Sequence, residues 1–404
     1  MSDTCLVRQP VFGASGALMG YEIRYSDSED GRQALIQSFL SGTFDLVRGQ
    51  QPAFIACSRS QLVENALHMV DPTSAILLLP RGLVADEEVV AAISSYRANG
   101  GHVALDEINE AEAPSEALLP YASWARIDMR AEDASAVGRV CDRLTQQQPA
   151  LKLMAHQISE LSQYEVALQV GVDAFQGTFF SSPEPVPATD LPQSTMAALR
   201  LMGLARDPKV NDRALEEVLE TDPILTFQLL RLVNSAAVGM RGVSSIGQAL
   251  RLIGRNAFQR WLAVAVAASR KSQTGVDQEL VRQAVERGRL MEQLAGGPRD
   301  AGTLFLVGLF SLLDAVFRMS LPEILERVAL SDDATAALLD RTGPYADALA
   351  FAESYELGMF ESAGELAAAM GLDPNKIGEM YTNALSWANE ALGSLAESQQ
   401  PARR

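Results

Sequence analysis

The sequence predicts a multi-domain protein: an N-terminal α/β barrel, TIM-like but trimmed, followed by an all-α helical domain. Three observations carry this. The chain has 404 residues, too many for one ordinary domain of about 150. Its first half alternates strand-like and helix-like segments, and from about Thr195 onward the strand signal stops. Between the halves, Ser181–Pro192 (SSPEPVPATDLP) holds four prolines, the composition of a semi-rigid linker. The expected division is residues 1–183 for the barrel, 184–193 for the linker, 194–395 for the helical domain and 396–404 for a tail.

Eight extended runs are expected in the first half. Leu6–Phe12 and Ala17–Tyr25 are β-rich, and Ala53–Cys57 follows. Ala75–Leu79 (AILLL) is continuously apolar, as a strand covered on both faces must be. His102–Asp106, Trp124–Asp128, Leu151–Ala155 and Val172–Phe175 complete the set. Helical patterns lie between them, such as Asp86–Asn99, which Gly100-Gly101 ends. That rhythm predicts a parallel sheet or barrel. Several strands end in acids, and a barrel carries its site on that C-terminal face. In the second half, Arg213–Glu220, Leu225–Asn234, Ile246–Ile253, Ala257–Ala268, Leu280–Leu294 and Leu304–Phe317 read as helices. Trp261 and Trp387 are expected as core or interface anchors.

Composition narrows the function classes. Hydrophobic residues at 48% and charged residues at 21% are those of a folded globular chain. The net charge of −18 opposes non-specific binding of nucleic acid or anionic membrane. The charge is uneven: residues 1–187 carry −12 and the remainder −6. Pro223–Val276 has no acidic residue but holds Arg231, Arg241, Arg251, Arg255, Arg260, Arg270 and Lys271. These form the candidate partner surface; the plainer reading is solvated helix faces that meet acidic neighbours. Cys5, Cys57 and Cys141 stand far apart, as buried free thiols in a reducing compartment would. The start, MSDTCLVRQP, lacks a basic-then-apolar leader, and the longest apolar runs fall short of the ~20 residues that span a bilayer. A cytoplasmic location is expected.

Motifs in both halves resemble known families. Arg8-Gln9-Pro10-Val11 followed by Gly20-Tyr21-Glu22-Ile23-Arg24 resembles the start of an EAL domain, the cyclic-di-GMP phosphodiesterase family. Ala104-Leu105-Asp106-Glu107, Ala125-Arg126-Ile127-Asp128 and Gly171–Gly177 (GVDAFQG) resemble that family's ALDD, KID and GxDxxQG motifs, in the family's order. In the second half, Thr221–Leu225, Leu229–Ser235, the Ser245–Gly254 segment and Leu306–Asp314 resemble the HDOD domain, a helical relative of the HD phosphohydrolases. The resemblance implies an EAL-type barrel, a signalling role tied to cyclic-di-GMP, and outputs such as motility, biofilm or virulence control in a bacterium.

Members of the EAL family are implied to cleave a phosphodiester with two divalent metals, which needs several convergent carboxylates. Glu22, Asp106, Glu107 and Asp128 remain as a vestigial site. The family's metal-binding Asn falls on Ala56, its ExTE pair falls in Leu77-Leu78-Leu79-Pro80-Arg81, and its AExVE motif reads Ala155-His156-Gln157-Ile158-Ser159. The KID lysine position is Arg126, and Asn109–Pro114 replaces the long loop after the DD pair. The surviving acids are therefore expected to repel one another rather than hold a metal. The only histidines are His68, His102 and His156, all in the first half, so the helical half lacks the imidazoles of an HD metal site; Ser311-Leu312 stands in the His-Asp place.

These readings predict a catalytically inactive regulator that works by binding other signalling proteins, with self-association left open and neither cofactor nor metal. Membranes, nucleic acid and cyclic-di-GMP are not expected partners. The alternative is a non-catalytic receptor for cyclic-di-GMP or another nucleotide that repositions the helical domain. Its ligand would be met by Gln9, Arg24 and Gln176, with Arg24 substituting for a family arginine that falls on Ser26.

Overall fold

Alternation along the N-terminal strands gives each an inner and an outer face, and eight of them close on themselves. The computed structural model describes residues 6–26, 29–64, 70–110, 116–130, 134–181, 193–206, 209–220, 223–233, 245–269, 274–326, 328 and 330–399. The strands are β1 (Leu6–Gly13), β2 (Leu18–Tyr25), β3 (Ala53–Ala56), β4 (Ala75–Leu79), β5 (His102–Ile108), β6 (Trp124–Asp128), β7 (Lys152–Ile158) and β8 (Ala174–Gly177). They form a closed barrel in sequence order. All neighbours are parallel except that β1 runs antiparallel to both β2 and β8. The sequence rhythm alone suggested parallel pairing; the tight turn through Gly16 (φ 74°) between β1 and β2 permits only a hairpin. Inside, Val11, Phe54, Ile76, Leu78, Ala104, Trp124, Met154 and Ala174 make an apolar plug. The barrel is trimmed at the β5–β6 connection, where the described residues hold one short 3₁₀ turn, Leu119–Tyr121, and no α-helix. The helix expected after Ala75–Leu79 runs from Glu87 to Ala98, with Asp86 accepting from the Val89 amide as its N-cap.

The second half is helical throughout its described residues. Helix Gly275–Gln293 is its axis, packed between Pro298–Phe310 and Pro374–Gln399. The glycine of the Leu306–Asp314 motif has a direct packing reason. A Cβ on Gly308 would stand 2.8 Å from the Gly288 Cα and from the Arg287 carbonyl oxygen, so the two helices cross in backbone contact. Gly308→Ala is expected to cost about 1–3 kcal/mol by forcing the crossing apart, read as a lowered urea midpoint with an unchanged slope. The two helices expected at Ile246–Ile253 and Ala257–Ala268 form one segment, Ile246–Ala267, broken at Gly254 (φ 76°). Leu304–Phe317 is split at Ser311-Leu312. The last helix continues to Gln399 and so runs into the first residues of the expected 396–404 tail. Residues 182–192 of the linker, Asp222 and Asn234-Ser235 of the helical motifs, Cys5 and His68 lie outside the described residues.

The halves are joined by more than a linker. Helix Gly275–Gln293 begins on the β1–β2 hairpin, where the Val276 amide donates to the Gly16 carbonyl at 3.1 Å. Gly275 sits so close that a Cβ would fall 2.7 Å from the Leu18 amide nitrogen. Further along, Arg8 reaches out of β1 into a buried ion pair with Glu286. The Arg8 guanidinium lies 4.6 Å from the centre of the Tyr21 ring and also donates to the Val47 carbonyl at 2.8 Å. Tyr21 donates to Glu279 at 2.9 Å, and the Arg8 amide to the Tyr381 hydroxyl at 3.4 Å.

Candidate functional site

Above the apolar plug, the inner face turns polar at the C-terminal strand ends. Gln9, Glu22, Asp106, Arg126, His156 and Gln176 point into one layer, each two residues beyond or before a plug residue on its strand or paired with one that is. Arg126 is its centre, with a side chain 3% exposed. Its guanidinium lies 3.2 Å from the Glu22 carboxylate and 3.2 Å from that of Asp106. It donates to the Gln176 side-chain oxygen at 3.2 Å and approaches His156 Nδ1 at 3.3 Å. The Gln176 amide nitrogen donates in turn to Glu22 and, at 3.0 Å, to Gln9.

The electrostatics follow from this closure. Burial opposes the charge on Glu22, but Arg126, with Arg24 and Gln176, outweighs it and holds the carboxyl below the usual range. Burial wins at Asp106 and raises it, against the pull of Arg126. Burial and then Arg126 push His156 down to about 3, so the ring is neutral and its Nδ1 accepts.

Sequence reasoning expected four mutually repelling acids, and the structure corrects this. Glu22 and Asp106 are brought together, but on a cation. Asp128, two residues beyond Arg126 on the same strand, is clamped instead by its neighbour Arg130, at 3.0, 3.2 and 2.7 Å. Glu107 is exposed, at a left-handed backbone position (φ 50°), with its amide donating to Asp106 at 2.8 Å. The organising residue, Arg126, was legible only as a replaced lysine. The available signal was its inward register between Trp124 and Asp128, where a cation must find partners.

The expected ligand-binding residues are engaged elsewhere. Arg24 does share the inward face with Glu22, but it donates to the Leu357 carbonyl at 2.7 Å. The Gln9 amide nitrogen approaches the Glu356 carbonyl at 3.5 Å. The end of helix Ala346–Glu356 thus stands over the barrel mouth. A cleft of about 760 Å³ remains between the halves, lined by Gln9, Arg24, Arg130 and Gln176 on one side and Arg287, Arg341 and Glu353 on the other.

A pair of divalent metals needs carboxylates free to converge on it. The residues here do not fit one. A guanidinium stands between Glu22 and Asp106, β3 offers Ala56, and β4 offers Leu78. Among the described residues no group of three or more His, Cys, Asp or Glu could hold a metal ion.

The arginine-rich stretch is also partly spent inside the molecule. Arg255 binds the Val210 carbonyl and Asp212, and Arg260 pairs with Glu292 at 2.8 Å. These two tie helices together, with their side chains still 29% and 30% exposed. Arg251 is exposed. Arg241, Arg270 and Lys271, and the side chain of Arg231, lie outside the described residues. His102 is exposed and bonds Ser123 at 2.9 Å, and Cys57 and Cys141 are buried free thiols. Trp261 stacks on Phe258 and Trp387 meets Phe305 edge-on, as core anchors should. No helix among the described residues is long and apolar enough to cross a membrane.

The HDOD domain family matches residues 191–341. The chain is 26% identical over 408 residues to the uncharacterized protein YuxH of Bacillus subtilis, covering 96% of this chain and 98% of that one. It is 24% identical to cyclic di-GMP phosphodiesterase CdgJ of Vibrio cholerae, covering 96% and 93%. Among solved structures, the PaMucR phosphodiesterase in complex with c-di-GMP aligns with 45% of this chain and 96% of its own, at 20% identity and a TM-score of 0.36. The YkuI protein of Bacillus subtilis, with an EAL domain, aligns with 54% of this chain and 71% of its own, at 13% identity and a TM-score of 0.35. A closed barrel carrying EAL-like motifs, followed by a helical region that matches the HDOD family, gives the chain the organisation of an EAL–HDOD tandem.

Proposed function

We propose that this chain is a non-catalytic regulator in a cyclic-di-GMP-related signalling network, acting through contacts with other proteins. The observation that carries the reading is the Arg126 guanidinium bound between Glu22 and Asp106. A fixed cation there satisfies the carboxylates that metal ions would need, yet supplies neither an open coordination position nor a metal-activated water. The name of one relative, cyclic di-GMP phosphodiesterase CdgJ, supports the signalling context. The persistence of a closed barrel around a site of this kind favours a role for its surfaces over one in turnover.

The test is incubation of the purified protein with cyclic-di-GMP and Mg²⁺ or Mn²⁺, followed by chromatography. No linear dinucleotide is expected over hours. Product that forms with metal and stops with EDTA would refute the reading.

A further inference from the structure

We infer that the end of helix Ala346–Glu356 is a built-in lid on the barrel mouth, whose backbone occupies the donors a ligand would need. The inference concerns regulation of the site just described, but it rests on its geometry and not on the absence of catalysis. The lid lies beyond residue 341, where the HDOD match ends, so it belongs to a C-terminal segment that the match leaves unassigned.

Its seating is specific. The Leu357 carbonyl takes an Arg24 N–H at 2.7 Å, and the Glu356 carbonyl faces the Gln9 amide. Gly358 follows in the left-handed region (φ 68°), and a Cβ there would stand 3.2 Å from Arg24 Nε, so the chain turns flat against that side chain. The lid is also braced from its own side. Arg287 grips the Glu356 carboxylate at 3.1, 3.1 and 2.6 Å and donates to Ser311 at 2.9 Å. Ser311 stands at the break between helices Pro298–Phe310 and Leu313–Phe317. The brace therefore links the mouth of the barrel to the core of the helical half.

The donors under the lid are a guanidinium and a carboxamide. Whatever displaces the lid must offer oxygen acceptors in place of two carbonyls, as phosphate or carboxylate groups do. Binding at the mouth and lid closure are then mutually exclusive, and the apparent Kd of any such ligand is its intrinsic value divided by the open fraction.

Hydrogen–deuterium exchange on the full chain tests this without a ligand. In the wild type, amides 354–360 should be protected together with β1 and β2. Arg24→Ala and Gly358→Ala attack the contact from opposite sides. Each should speed exchange of 354–360 by about tenfold or more, which corresponds to about 1.4 kcal/mol, and leave helix Gly275–Gln293 unchanged. Unprotected 354–360 in the wild type would overturn the inference. So would variants that leave these amides unchanged, or that loosen the whole chain uniformly. None of these outcomes depends on whether the protein turns over cyclic-di-GMP.

Discussion

Arg8→Ala should destabilise the protein by about 3–5 kcal/mol, through the interface between the two halves. Breaking a buried ion pair leaves its partner without compensation, and losses of that order follow. Arg8 is 4% exposed as a side chain and Glu286 7%. Glu279 lies within the same cluster, so removal of the cation leaves two buried carboxyl groups without the charge that attracts them. Urea unfolding should show either a large drop in midpoint or a new intermediate in which the halves unfold apart. A change below about 0.5 kcal/mol would mean the contact is not formed.

The same cluster predicts a pH dependence. Burial pushes Glu286 up to about 7, against the attraction of Arg8. A carboxyl raised above its unfolded value binds its proton more tightly when folded. Its contribution is therefore full below about 4.5 and is lost as the pH rises toward about 7. Glu286→Gln should flatten that part of the stability profile, measured as urea midpoints from pH 5 to 8. A profile that keeps its slope in the variant would assign it to another group.

Arg126→Ala should have the second large effect, again about 3–5 kcal/mol. It strands Glu22 and Asp106 together in a layer that Arg126 now neutralises. It also removes the donor to Gln176 and the neighbour of His156. In the wild type, Glu22 is held low, so its contribution is present above the carboxylate range and lost as the pH falls. In the variant both carboxyls are pushed up, and the sign reverses: the loss should be greatest at neutral pH and shrink as acid protonates the pair. Arg126→Lys should recover part of the stability but not the paired contacts of a planar guanidinium. Equal stability of wild type and Arg126→Ala at neutral pH would contradict the described contacts.

Much of the barrel was legible in the sequence because strand signals are local. Ala75–Leu79 and Trp124–Asp128 match the observed strands residue for residue. The alternation that placed Glu22 and Arg24 on one face also held. What was not legible depends on contacts distant in sequence. Glu286 lies 278 residues from Arg8, and Leu357 lies 333 from Arg24. No periodicity carries such a pairing. Along one strand, Arg126 stands only as a single replaced lysine. Its role appears only when β2, β5, β6 and β8 meet around it. In the arginine-rich run Pro223–Val276, Arg255 and Arg260 follow the plainer reading, helix faces that meet acidic neighbours, here Asp212 and Glu292.

The central claim is that a guanidinium holds the place that metals would need. Calorimetric titration of Mn²⁺ into the wild type and into Glu22→Gln tests it most directly. The account predicts the same weak, non-saturating heat in both, from the acidic surface alone. Saturating Mn²⁺ binding in the wild type that disappears in Glu22→Gln would contradict it.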